Sequence, residues 1–105
     1  MEQKFMNTNY IFEFFDGTKA ELTLFFYRLY QLKEKNAHFY NRYMKIMTKG
    51  PTDEIEMIEV LYTAYLCANF EKEEIMSFED FIYKCGFDRL AVANAIKALT
   101  REKKK

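Results

Sequence analysis

The chain of 105 residues has no tryptophan, only three glycines and one proline. So few turn-forming residues argue against an all-β chain with many turns. Net charge is also absent, since 16 basic residues balance 16 acidic residues. A neutral chain lacks the basic field of a typical nucleic-acid-binding domain and the acidic excess typical of disorder. The composition therefore predicts one folded domain, residues 1–105, and argues against nucleic acid as a partner.

Residues that carry catalysis or bind metal ions are scarce as well. His38 is the one histidine in the sequence, and Cys67 and Cys85 lie far apart in apolar segments. A catalytic histidine needs a nucleophile or an acid in reach, and a zinc site usually needs several nitrogen or sulfur ligands. The glycines are too dispersed to cradle a phosphate. We therefore expect two buried, reduced thiols, no enzymatic activity, no cofactor and no metal.

Long apolar runs are missing too. No run approaches the roughly 20 residues that a membrane-spanning helix needs, and the first residues lack the apolar stretch of a signal peptide. We therefore expect a protein that stays in the compartment where it is made and does not contact a membrane. Apolar residues nevertheless make up 50% of the chain, with eleven Phe and eight Tyr. This is ample material for a core.

Two strand-like segments predict a β-hairpin over residues 10–24. Residues 10–15 read YIFEFF and residues 18–24 read TKAELTL, with Asp16-Gly17 between them. An Asp-Gly pair at this place favours a two-residue type I′ turn. Alternation gives each segment an apolar side. The first segment has Tyr10, Phe12 and Phe14 on one side, and the second has Ala20, Leu22 and Leu24 on one side.

The helical periodicity of residues 24–100 predicts about five helices. The predicted segment over residues 52–70 is apolar almost all round, so we expect it to be the central helix around which the others pack. The predicted fold class is therefore mainly α with a small N-terminal β-hairpin. Another predicted helix runs from about Leu24 to Lys35, where Asn36 can end it, and the next carries Phe39 to Met47 and stops at Gly50-Pro51. The last two run from Ser77 to Gly86 and onward from Asp88, followed by a charged tail, residues 101–105.

Residues 78–100 leave a second interpretation open. Two short helices that meet at Gly86 resemble a helix-turn-helix, with Val92 as the packing residue of the second helix. A small DNA-binding regulator is therefore the alternative function. Against it, Ile82 occupies a position that usually holds a small residue, and the chain is neutral. The exposed face of the second helix would carry Leu90, Asn94, Lys97 and Arg101.

Several aromatic side chains fall outside the predicted apolar faces of the helices. Tyr27 and Tyr30 lie off the apolar stripe of the first helix, and Tyr83 lies off that of the fourth. Tyrosine and phenylalanine at a surface are typical of protein-binding sites. Taken with the phenylalanine-rich hairpin, they predict a protein-binding surface made of Phe12, Phe14, Tyr27, Tyr30 and Tyr83.

Ordered segments, rather than catalytic motifs, carry a resemblance to a known family. They are LTL at 22–24 with FYRLY at 26–30, YNRYMKIMTKG at 40–50, LYTAYLCAN at 61–69 after Ile58, and SFEDFI at 77–82. From about residue 10 onward, the chain is similar to the tail assembly chaperones of long-tailed (siphovirus-type) phages and prophages of Gram-positive bacteria.

The resemblance implies a concrete role. Such a chaperone binds the long, apolar tape measure protein in the cytoplasm of the bacterial host. It keeps this client soluble until tail tube subunits polymerise around it, so the implied partners are the tape measure protein and the tail tube protein. No cofactor is implied. An exposed hairpin edge can add to a partner strand, so we also expect homo-oligomers or several copies on one client.

Overall fold

The computed structural model describes residues 9–100, which form five α-helices and one two-stranded antiparallel sheet. This confirms the predicted fold class, mainly α with a small N-terminal hairpin. The predicted tail, residues 101–105, lies outside the described residues. The elements are β1 (Tyr10–Glu13), β2 (Lys19–Leu22), α1 (Phe26–Lys35), α2 (Ala37–Lys49), α3 (Glu54–Asn69), α4 (Phe78–Cys85) and α5 (Arg89–Thr100).

Polar caps and a glycine set the ends of the helices. Asn36 ends α1 and also begins α2, where its side-chain oxygen accepts a hydrogen bond from a backbone N–H of the first turn. Asp53 and Ser77 cap α3 and α4 in the same way, and Asp88 caps α5. Gly50 ends α2 with a φ of 91°. The helix ends therefore follow the local sequence pattern.

The third helix is the centre of the fold, as predicted. α3 packs against β2 and all four other helices. Its side chains at Val60, Leu61 and Cys67 are completely buried. The polar residue Thr63 is buried as well, and its hydroxyl donates to the backbone carbonyl of Glu59. This internal hydrogen bond removes the cost of burying the hydroxyl.

The hairpin turn differs from the predicted type I′ turn. The two strands pair so that Phe12 lies opposite Ala20. A three-residue loop, residues 15–17, joins them, and Gly17 has a φ of 90°, as in a turn with a glycine bulge. A two-residue loop would have placed Phe12 opposite Glu21. The observed register instead gathers the apolar side chains of both strands on one face, where α3 covers them.

One edge of the hairpin is closed by the central helix. The backbone N–H of Thr23 donates to the carbonyl of Ala64 at 3.1 Å, and the side-chain amide of Asn69 donates to the carbonyl of Glu21 at 2.9 Å. The N–H of Thr23 and the carbonyl of Glu21 both point away from β1. The helix thus takes the place of a third strand along β2 and fixes the hairpin to the core.

Candidate protein-binding surface

The residues that carry chemistry are isolated from one another. Within residues 9–100 no group of three His, Cys, Asp or Glu side chains could hold a metal ion. His38 is exposed and lies edge-on to the ring of Phe39. Cys67 and Cys85 are free and buried, as predicted. Burial raises the pKa of Cys67 to about 12 and that of Cys85 to about 11, so both thiols are protonated and unreactive at neutral pH.

None of the helices between residues 9 and 100 is long and apolar enough to cross a membrane. Exposed apolar side chains lie on the hairpin, on the turns and on the outer faces of several helices.

Two of the five aromatic residues predicted at the binding surface lie in the core. Phe12 and Phe14 are each only 3% exposed. The ring of Phe14 packs edge-to-face on those of Phe12 and Phe81, with centroids 5.3 Å apart in both pairs. The prediction that they contact a partner is wrong, because an isolated two-stranded hairpin is marginal in water until its apolar face is packed.

The two tyrosines of α1 are exposed, as predicted. Tyr27 and Tyr30 lie one turn apart, and their rings stack with centroids 6.0 Å apart. Phe26 beside them is 86% exposed. It lies about a quarter-turn around the helix from the inward stripe of Phe25, Leu29 and Leu32. Phe26, Tyr27 and Tyr30 together are called the α1 surface below.

A second exposed apolar surface surrounds the turn between α4 and α5. Tyr83 is 75% exposed and lies beside the ring of Phe15 at the hairpin tip, with centroids 6.4 Å apart. Phe87, in the turn itself, is 87% exposed. Ile55 in the first turn of α3 borders the same cavity as Phe87. Phe15, Ile55, Tyr83 and Phe87 are called the corner surface below.

The corner surface borders a cavity of about 190 Å³. Its walls are mainly apolar, and the side chains of Glu54 and Arg89 form an ion pair of 2.7 Å among its lining residues. An apolar pocket with a charged rim can hold one apolar side chain of a partner while excluding water around it. Its apolar walls are formed by Ile55, Ile58, Ile82, Cys85, Phe87 and Val92.

The hairpin tip is attached to the end of α4, which holds the corner surface together. The backbone N–H of Phe15 donates to the carbonyl of Lys84 at 3.1 Å. The ammonium of Lys84 lies 3.5 Å from a carboxylate oxygen of Asp16 and 5.0 Å from the ring centre of Phe14. Gly86 follows with a φ of 65°, and a Cβ there would come within 2.9 Å of the Phe15 ring.

The carboxylate at the hairpin tip is held in its charged form. The hydroxyl and the backbone N–H of Thr18 donate to Asp16 Oδ1 at 2.7 and 3.0 Å. These hydrogen bonds lower the pKa of Asp16 from its ordinary value of 3.8, and Lys84 contributes a smaller effect in the same direction. Asp16 is therefore ionised at neutral pH and available to pair with Lys84.

No protein-family model, no curated protein and no solved structure matches the chain. The structural support for a function therefore comes from the α1 surface and the corner surface. Reasoning from the sequence alone missed Phe15, Ile55 and Phe87 as surface residues. Phe87 did carry a signal, since a large apolar residue lies between Gly86, which ends one helix, and Asp88, which caps the next. Polar residues are more usual in so short a turn.

Proposed function

We propose that this protein is a tail assembly chaperone of a long-tailed phage or prophage. It holds the apolar tape measure protein in the cytoplasm of the bacterial host until tail tube subunits polymerise around that client. The corner surface is the observation that supports this best, because exposed Ile55 and Phe87 line a mainly apolar cavity and the exposed rings of Phe15 and Tyr83 lie together beside the same turn. Binding of a long apolar client needs contact area more than it needs exact pairing. The identity of the client comes from the resemblance of the sequence segments.

The α1 surface supports the same proposal from another part of the molecule. Phe26, Tyr27 and Tyr30 offer three more exposed rings, and an apolar cavity of about 240 Å³ lies between the start of α1 and Leu99 of α5. Two separate apolar surfaces on one small domain allow a chaperone to hold two segments of a long client. They also allow several copies to line up along that client.

The first turn of α5 does not favour the alternative, a helix-turn-helix regulator of DNA. In such a protein the N-terminal residues of the second helix contact base edges. Here Arg89 is paired with Glu54 at 2.7 Å, and the next residue, Leu90, is exposed and apolar. Base edges are read chiefly by hydrogen-bonding side chains. A gel shift at low salt that disappears in an Arg89→Ala/Lys97→Ala variant would support the regulator instead.

Co-expression with the tape measure protein tests the proposed function. We expect the soluble fraction of the client, measured after centrifugation, to rise with this chain and to fall again with the Tyr83→Ser/Phe87→Ser variant. Met44→Ser is the matched control, because Met44 is an exposed apolar residue outside both surfaces. Circular dichroism confirms that each variant is folded. A client that stays insoluble with and without the chaperone contradicts the proposal.

A further inference from the structure

Among residues 9–100, no strand pairs with the edge of β1 that faces away from β2. Because the backbone N–H of Phe14 donates to the carbonyl of Thr18 at 2.8 Å, these residues form a hydrogen-bonded pair. Hydrogen-bonded pairs alternate along antiparallel strands, so the backbone groups of Ile11 and Glu13 point away from β2. Within residues 9–100 these groups have no hydrogen-bond partner. Such an edge is a template for another strand.

A cleft runs beside this edge. It has a volume of about 410 Å³, which falls in the range of roughly 300–1,000 Å³ found for binding sites. β1 forms one wall, and Ala91 and Asn94 of α5 contribute to the other. The corner cavity adjoins this cleft, because Cys85 and Asp88 line both. The cleft differs in having β1 as a wall, whereas Ile55, Ile58 and Phe87 line only the corner cavity.

The charge of the cleft favours one kind of occupant. Glu13 and Asp88 line it, and no basic side chain lines it among the residues that the structure describes. Neither carboxylate takes part in an ion pair within residues 9–100; Asp88 accepts only the backbone N–H of Ala91. A second copy would add its own β1, which reads YIFE and has no basic residue to complement these carboxylates.

We propose that the cleft between β1 and α5 binds an extended, lysine- or arginine-containing segment of a partner protein as a third strand of the sheet. The backbone groups of Ile11 and Glu13 form the main-chain hydrogen bonds, as in other domains that bind peptides at a sheet edge. The carboxylates of Glu13 and Asp88 select basic side chains. Asn94 offers an amide that can both donate to and accept from the added strand.

The first test uses synthetic peptides as probes of the full chain. The binding probe has about six residues with alternating valine and lysine, and the control probe has glutamate in place of lysine. We expect the lysine peptide to shift the amide resonances of Ile11 and Glu13 in ¹H–¹⁵N spectra and to slow their exchange with solvent. The glutamate peptide should do neither. Shifts confined to Ile55 and Phe87, or no binding at all, overturn the proposal.

Charge variants test the selection of basic side chains. Glu13→Gln and Asp88→Asn should each weaken binding of the lysine peptide by about two- to fivefold, the size expected for one exposed ion pair. Asparagine at position 88 keeps a cap for α5. Glu21→Gln is the matched control, because Glu21 is an exposed carboxylate of the same hairpin that does not line the cleft. Equal affinity in all three variants overturns the proposal.

A backbone variant tests strand addition directly. Ile11→Pro removes an N–H that points away from β2, and proline is tolerated at the open edge of a sheet. We expect this variant to lose peptide binding while its melting temperature changes little. If it does not fold, the charge variants decide the question alone. Concentration-dependent protection of the Ile11 and Glu13 amides without peptide would show that a second copy occupies the edge, and would overturn the proposal.

This inference is independent of the proposed chaperone function. The peptide experiments contain no tape measure protein, and the solubility experiment changes only residues of the corner surface. If the lysine peptide does not bind but the client becomes soluble, only the proposal for the cleft is rejected. If the client stays insoluble but the lysine peptide binds selectively, only the chaperone proposal is rejected.

Discussion

At the scale of single residues, Gly86 determines how closely the hairpin tip approaches α4. Its φ of 65° is unfavourable for side-chain-bearing residues, and a Cβ would lie 2.9 Å from the ring of Phe15. Gly86→Ala should therefore lower the free energy of unfolding by about 1–3 kcal/mol, measured by urea denaturation. The contact should shift the Phe15 ring as well.

The control for this prediction is Gly17→Ala. Gly17 also has a positive φ, of 90°, but nothing lies within 4 Å of the position of an added Cβ. This variant carries only the conformational cost of about 1 kcal/mol. Equal losses in the two variants would mean that the contact with Phe15 contributes nothing to stability.

Phenylalanine has two distinct roles in this chain, which one pair of substitutions separates. Phe14→Ala should destabilise the protein by about 3–5 kcal/mol, because the ring is buried between Phe12 and Phe81. Phe87→Ala should change the free energy of unfolding by no more than about 0.5 kcal/mol, because Phe87 is 87% exposed. Urea denaturation measures both. A large loss for Phe87→Ala would show that Phe87 belongs to the core.

At the scale of elements, the side chains of Asp53 and Glu56 both accept backbone hydrogen bonds at the start of α3. Asp53 Oδ1 accepts the backbone N–H of Glu56 at 2.8 Å, and Glu56 Oε1 accepts the backbone N–H and the hydroxyl of Thr52 at 2.9 and 3.0 Å. Such reciprocal hydrogen bonds satisfy backbone donors that a helix start would otherwise leave free. Since α3 is the central helix, its start position sets where the other elements pack.

The hydrogen bonds from Thr52 predict an acid-dependent loss of stability. They lower the pKa of Glu56 from its ordinary value of 4.5. The contribution of Glu56 is therefore present above pH 4.5 and is lost as the pH falls through the lower pKa of the folded state. Glu56→Gln should be less stable than the wild type at pH 7, with the difference shrinking below about pH 4.

Thermal unfolding across this pH range measures the effect. Asp16 also has a lowered pKa, so the wild type as a whole should lose stability in acid. The comparison with Glu56→Gln isolates one carboxylate from the others. A stability difference that stays constant from neutral to acid pH would contradict the assigned role of Glu56.

At the scale of the whole molecule, two apolar surfaces lie on a chain without net charge. Neutral chains lack the repulsion that keeps exposed apolar surfaces apart. We therefore expect reversible self-association in sedimentation velocity experiments, with a sedimentation coefficient that rises with concentration. Phe26→Ser/Phe87→Ser should weaken it, whereas Met44→Ser should not. A chain that remains monomeric at high concentration would mean that these surfaces bind only other proteins.

The features of the fold that neighbouring residues determine were predictable from the sequence. The caps at Ser77 and Asp88 were predictable because a side chain that accepts a backbone N–H three residues away acts locally. The central position of α3 was predictable because a helix apolar on almost every side must be surrounded. These features need no knowledge of what lies across the core.

Sequence reasoning failed where distant elements compete for the same surface. Asp16-Gly17 alone favours a two-residue turn, yet packing on α3 selected the register that places Phe12 opposite Ala20. Alternation put Phe14 and Phe15 on opposite sides of the strand, but it could not show which side the helices cover.

The set of exposed aromatic side chains thus depends on both the sequence and the tertiary structure. The sequence by itself determined that the chain folds into helices and a hairpin with more aromatic side chains than its core can cover. Only the tertiary structure decided which remain exposed, placing Phe12 and Phe14 inside and Phe15, Tyr83 and Phe87 outside. The physical reason is that burial depends on which faces other elements cover, and those elements come from distant parts of the chain.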